Sequence, residues 1–183
     1  MPHLWEWLGE PLAADFANTT KRRASVEVEL LLRGEDLEAW TRHERGRAPE
    51  VRAEAAGARL EEVRAFRADV RAALHALVDG EPVPRAAAEA LNARVRAVPL
   101  VTELRAGGAT ELCALGVPDP LDELFARVAH SAIELVRTSS LLGFCDAPSC
   151  GQFFARERAN KRWCSEACGT RARVARHAGH RRA

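Results

Sequence analysis

The sequence predicts a mainly α (α+β) protein: a helical N-terminal body with one small β-hairpin, then a short C-terminal module built on four cysteines and ending in a basic helix. Three observations carry that prediction. Residues 1–144 are rich in Ala, Leu, Arg and Glu, with no tyrosine and almost no β-favouring aromatic runs. Apolar residues there recur at spacings of three and four, the period of a helix with one buried stripe. Four of the five cysteines, Cys145, Cys150, Cys164 and Cys168, fall in the last 39 residues with the spacing C-x4-C-x13-C-x3-C.

Taken in chain order, the first stretch is ambiguous: Leu4, Trp5, Trp7 and Leu8 suit either a strand or a helix start, and their structure stays open. Next comes Asp15-Phe16-Ala17-Asn18-Thr19-Thr20. Asp15, Asn18 and Thr19 are candidate ligand-binding residues, because they offer donors and acceptors from one turn. The same residue types also cap helices and shape turns, which is their commoner use. A long helix begins near Pro49 and carries Leu60, Val63, Phe66, Val70, Leu74 and Leu77 on one stripe until Asp79 and Gly80 stop it. A shorter helix runs from about Pro84 to Val98, proline being tolerated in a first turn. Leu100 to Leu104 and Thr110 to Leu115 flank Gly107-Gly108 and read as the one good hairpin of the body. Cys113 lies in this apolar run and is expected to be a buried, unreactive thiol. A third helix follows Pro120, with a wide apolar face reaching Leu142 and Gly143 as its stop, and leads straight into Cys145.

The two cysteine pairs have the arrangement of a tetrahedral structural zinc site, each pair supplying two thiolates from one turn. Phe153, Phe154 and Trp163 lie between the pairs and are placed to shield one Zn²⁺. Four thiolates close the metal's shell, so no position remains for a catalytic water. No H-E-x-x-H pair, nucleophile motif or phosphate-binding glycine loop occurs elsewhere, and the chain is expected not to be an enzyme. With no cleavable leader and no apolar run long enough for a bilayer, a cytoplasmic protein without a membrane segment is expected. A reducing cytosol also favours thiolates over disulfides.

The formal net charge of +1 conceals a division. Residues 1–144 carry 18 Lys/Arg against 23 Asp/Glu, whereas residues 145–183 carry 9 against 3. Zinc with four thiolates contributes −2, so the loaded module stands near +4. An acidic body with a basic end points to an anionic partner, of which nucleic acid is the commonest.

Ser165 is placed to cap a helix that ends near Gly179. On it Arg173, Arg176, His177 and His180 follow the i, i+3, i+4, i+7 pattern of one face and are the candidate DNA contacts. Ala167, Arg171, Val174 and Ala178 fall on roughly the opposite one, and Arg171 is expected to turn back and hydrogen-bond a carbonyl or carboxylate. Lys161 and Arg162, with Arg156 and Arg158, add charge on the loop side. Such contacts set affinity and its salt dependence; no base-reading residue stands out.

The run from Cys145 to Arg173, with Phe153-Phe154, Asn160-Lys161-Arg162-Trp163-Cys164-Ser165 and Cys168-Gly169-Thr170-Arg171, resembles the CGNR zinc finger. Pro11 to Thr19 and the helical body resemble the ABATE domain, which precedes that finger in a family of bacterial transcription regulators sometimes described as stress-induced. Thr170 stands where the name-giving asparagine belongs. The resemblance implies an ABATE-like domain over residues 1–142, a CGNR-type finger over 143–183, DNA binding by the finger and sensing of a small-molecule effector by the body. A homodimer would supply the specificity a lone finger lacks, though no heptad seam marks one. Two rival readings stand beside this one: a protein-interaction adaptor that docks a partner through the finger, and a small-molecule-binding protein or enzyme centred on Asp15 and Asn18.

Overall fold

A computed structural model describes residues 8–23, 26–138, 141–156, 158 and 160–180, with the side chains of Gly179 and His180 excepted. The early residues Leu4, Trp5 and Trp7 lie outside the described residues. In chain order the elements are α1 (Leu12–Ala17), β1 (Thr20–Arg23), β2 (Val26–Glu29), α2 (Gly34–His43), α3 (Ala53–Ala58), α4 (Leu60–Asp79), α5 (Arg85–Ala97), β3 (Leu100–Leu104), β4 (Thr110–Ala114), α6 (Pro120–Arg137), β5 (Leu142–Phe144), β6 (Phe153–Ala155) and α7 (Glu166–His180).

The core forms where the helical stripes meet. Every residue of α1 is buried, and this short helix packs against both α4 and α6. Val63, Phe66, Val70 and Leu74 turn inward from α4, and Leu124, Phe125 and Val128 from α6. Their rings interlock, Phe66 and Phe125 meeting edge-on at 5.0 Å and Phe16 lying 5.6 Å from Trp40. Truncating a ring such as Phe125 to alanine removes about 3–5 kcal/mol through lost burial and the cavity left behind. Asp119 caps α6 by accepting from the Leu121 and Asp122 N–H groups, and Gly80, at φ 71°, closes α4 as the sequence anticipates.

Several sequence expectations meet a different outcome. The long helix from Pro49 is two helices, because the chain turns at Arg59, which stands between α3 and α4 and ties Glu62 to Asp122 of α6 (2.7 and 2.6 Å). The separated α3 lies so close to α2 that a Cβ on Gly34 would fall 1.9 Å from the Ala53 carbonyl oxygen. The helix after Pro120 ends at Arg137, with the Thr138 hydroxyl donating to the Glu134 carbonyl at 2.7 Å. Leu142 and Gly143 belong instead to strand β5, since a short apolar run suits helix and strand equally until its pairing partner is known. The body hairpin β3–β4 has the expected register, Leu100 opposite Ala114 through Leu104 opposite Thr110. Two further antiparallel pairs, β1–β2 and β5–β6, accompany it. Cys113, expected buried, is only half-buried on β4, where the Arg105 guanidinium donates to its sulfur at 3.3 Å.

The β5–β6 pair is where body and finger join. Leu142 and Phe153 belong to the main core, while Phe154, the next residue, packs with Cys145, Cys150 and Cys168 in a second cluster. Alternation along a strand thus sends successive aromatics to opposite cores. The boundary expected at 142/143 falls inside β5.

Candidate metal centre and nucleic-acid interface

Cys145 and Cys150 sit on a tight knuckle. Its turn needs left-handed backbone at Ser149 (φ 61°) and Gly151 (φ 76°) and is closed by Cys150 N–H to the Ala147 carbonyl, Gly151 N–H to the Cys145 carbonyl and Cys145 N–H to the Gln152 carbonyl, at 3.1, 3.0 and 2.8 Å. Cys164 precedes α7 and Cys168 lies in its first turn, where the Ser165 hydroxyl accepts the Cys168 N–H at 3.3 Å, the capping role expected of that serine. The four sulfurs all fall within 4.8 Å of one another, with Cys150 to Cys164 at 3.6 Å and Cys164 to Cys168 at 3.4 Å. A zinc tetrahedron with Zn–S near 2.3 Å has edges of about 3.8 Å, so the cage has the right size.

Electrostatics agree with the geometry. Packed this closely, the thiols perturb one another, Cys145 being held down by its neighbours while Cys150 and Cys164 are pushed up. Four crowded sulfurs resist ionising together, and a divalent cation is what lets them do so. Cys145, Cys150 and Cys168 are buried and Cys164 half-buried, so the ligands are screened from water on most sides. The four cysteines fit one structural zinc ion. The Arg171 guanidinium donates to the Cys168 sulfur at 2.9 Å. Arg171 therefore turns back as expected, but onto a ligand sulfur rather than a carbonyl or carboxylate, because the thiolates are the largest negative charge within its reach.

Beside this cage lies a cleft of about 630 Å³, lined by Asn160, Lys161, Arg162, Trp163, Thr170 and Arg173 among others. Gly169 lets the Trp163 indole lie close against α7: a Cβ there would meet Trp163 Cδ1 at 3.1 Å, and the indole would have to give by a few tenths of an ångström. Arg162 lies over the Trp163 ring at 5.6 Å, and Arg173 donates to the Thr170 hydroxyl at 3.0 Å. Thr170 thus steers Arg173 from the position where the finger's name places asparagine. Lys161 has a divided role, its ammonium 5.5 Å from the Phe154 ring centre and donating to the Ala155 carbonyl at 3.3 Å. Arg176 and His177 are exposed further along α7, and the side chain of His180 lies outside the described residues. The buried edge of α7 is Cys168, Gly169 and Ala172; Ala167 and Val174, on the face opposite Arg173, are exposed too.

Asp15, Asn18 and Thr19 are brought to an interior seam rather than an open pocket. The Asn18 amide donates to the Phe153 carbonyl at 2.9 Å and its oxygen accepts the Phe153 N–H at 2.8 Å, clamping α1 to β6. Glu10 accepts the Ala155 N–H at 2.6 Å, and Arg22 N–H donates to the Cys150 carbonyl at 2.9 Å. Thr19 donates to the Phe16 carbonyl and accepts from Arg67. Asp15 is paired with Arg47 at 3.1 Å, and Arg47 is shared with the buried Glu44 at 2.9 Å. Burial, then Glu44, push the Asp15 carboxyl up to about 7 against the pull of Arg47.

Sequence reading passed over the exterior of α4, where Arg64, Arg67, Arg71 and His75 share one face, and over Arg22 of β1. The signal was present as a basic stripe at i, i+3, i+7 and i+11. Nothing local shows that a hairpin covers it.

Among the described residues no helix is long and apolar enough to cross a membrane. Comparison with known families matches residues 142–182 to the CGNR zinc finger and residues 10–139 to ABATE, whose description is "putative stress-induced transcription regulator". A search of the curated proteins finds no match. The profile covers well over half of the chain, its finger profile falls on the four-sulfur cage, and the chain therefore belongs to the ABATE family and carries a CGNR zinc finger at its C-terminal end.

Proposed function

We propose that this chain is a DNA-binding transcription regulator whose zinc-fixed finger presents α7 and the adjoining cleft to the phosphate backbone, while the ABATE body senses a small ligand. The observation that carries the reading is the cleft itself, where Arg162 and Arg173 flank an aromatic floor beside the N-terminus of a basic helix. Zinc supplies a structural cross-link and holds Cys168 at the start of α7. Arg171 balances charge at the cage, Thr170 aims Arg173, and Arg176 and His177 continue the basic face outward. His180 belongs to the same face by its helical position. Lys161 contributes from the side, anchored on the Ala155 carbonyl. None of these contacts reads a base, so affinity outruns sequence choice, and a homodimer in the cytoplasm on a two-fold site supplies the missing specificity. No catalytic role is assigned.

The test is duplex DNA affinity measured against salt. Each phosphate neutralised adds about −0.9 to the slope of log K against log salt. Arg173→Ala with Arg176→Ala is expected to flatten that slope by about two while circular dichroism stays unchanged. An unaltered slope, or no binding by the zinc-loaded wild type at low salt, overturns the reading and favours a protein partner with an acidic surface.

A further inference from the structure

Between the β1–β2 hairpin and α4 lies a groove of about 490 Å³, lined by Arg64, Arg67, Arg71 and His75 on the helix side and by Thr20, Glu27 and Glu29 on the hairpin side. Arg67 and Arg71 stand one turn apart with side chains only 5% and 15% exposed. Two buried like charges repel unless each is matched. Arg67 is matched: it pairs with both oxygens of Glu29 and donates to the Thr19 hydroxyl at 2.8 Å. Arg71 is matched loosely. It donates to the Ala17 carbonyl at 2.9 Å, and its carboxylate is Glu27 at 3.3 Å, whose side chain is 57% exposed on a two-stranded sheet. Burial, and Arg67 beside it, disfavour the Arg71 charge despite Glu27. A guanidinium fork has donors to spare here for an oxyanion held in two-point fashion.

We infer that this groove is a binding site for a small oxyanion-bearing metabolite, a carboxylate or a phosphate, which takes the place of Glu27 on Arg71. The inference rests on the sensing role proposed for the body and gives it a location and a ligand class. Both walls of the groove reach the finger. The Arg71 guanidinium lies over the Phe153 ring at 5.5 Å, and the His75 ring lies 4.7 Å from Phe144 and 4.8 Å from Phe153. These aromatics are the strands β5 and β6. Across the groove, Arg22 of β1 donates to the Cys150 carbonyl at 2.9 Å and lies near Phe144. Loading Arg71 and releasing Glu27 therefore acts on the seat of the metal-bearing knuckle through Phe153 and Phe144. By linkage, an anion that changes DNA affinity is itself bound more or less tightly by the same factor when DNA is present.

The test titrates zinc-loaded full-length protein with inorganic phosphate and, separately, with succinate, each against sodium chloride at equal ionic strength, by calorimetry and thermal melting. Saturable binding of at least one anion is expected, tightened about tenfold by Glu27→Gln, weakened at least about tenfold by Arg71→Gln, and unaffected by Arg173→Ala with Arg176→Ala. Which anion binds assigns the ligand to the phosphate or the carboxylate class. No saturable binding of either anion by the wild type or by Glu27→Gln overturns the inference, as does binding that vanishes with the α7 arginines. Should Arg71→Gln fail to fold, the response to Glu27→Gln decides alone. DNA affinity measured with and without the bound anion separates the two readings. A several-fold change supports sensing; an unchanged affinity with Arg71-dependent binding intact refutes sensing and leaves the site standing.

Discussion

Asp15 gives the folded body a pH dependence of unusual sign for a carboxylate. Its side chain is 3% exposed and shares Arg47 with Glu44, and burial together with Glu44 lifts it from 3.8 to about 7. That rise corresponds to about 4 kcal/mol, to order of magnitude, between protonated and ionised forms. The folded state thus binds a proton that the unfolded chain has already released. Asp15 contributes stability fully below about pH 4, and this contribution is lost progressively as pH rises to about 7. Asp15→Asn keeps an acceptor for Arg47 but cannot ionise, so it is expected to be about 2–4 kcal/mol more stable than wild type at pH 8, with the advantage shrinking to about 1 kcal/mol at pH 4.5. Urea unfolding at several pH values in that range, on both zinc-loaded proteins, measures the difference. Taking the difference removes other titrations, including His75, which burial pushes down, and Glu29 and Glu62, which arginine partners hold below 4.5. An Asn variant less stable than wild type at pH 8, or a difference that does not vary with pH, would refute the reasoning.

Other outcomes follow from single contacts. Asn18→Ala strips two hydrogen bonds from buried Phe153 and is expected to cost about 2–4 kcal/mol in denaturant melts, with amide exchange in β5–β6 accelerating most. Arg171→Ala removes the cation on the Cys168 sulfur and should weaken zinc affinity by about tenfold in chelator competition. Gly169→Ala crowds Trp163 Cδ1 and shifts the indole by a few tenths of an ångström, which a change in tryptophan fluorescence and a modest loss of DNA affinity would register, with the zinc content unchanged.

What could be read in the sequence is what depends on neighbours in the chain. The cysteine spacing, the stripe from Leu60 to Leu77 and the Gly107-Gly108 hairpin each carry their own period or turn chemistry, and each is found where expected. Contacts between distant segments were not legible. Asn18 meets Phe153, 135 residues on, and no local pattern distinguishes such a clamp from a pocket residue or a cap. The end of α6 was overrun because Leu141 and Leu142 continue an apolar run whose strand character depends on Phe153–Ala155. Val26 and Val28 alternate with Glu27 and Glu29, a period of two, but four residues are too few to call a strand without its partner Thr20–Arg23. The basic stripe of α4 was passed over for the same reason, since the β1–β2 hairpin beside it is a distant segment.

The most direct test of the metal-fixed scaffold is zinc-edge X-ray absorption on the native protein, paired with its metal content. One zinc per chain, surrounded by four sulfurs at about 2.3 Å with no lighter ligand, is the expected result. A sub-stoichiometric metal, or a shell of fewer than four sulfurs completed by nitrogen or oxygen, would contradict it.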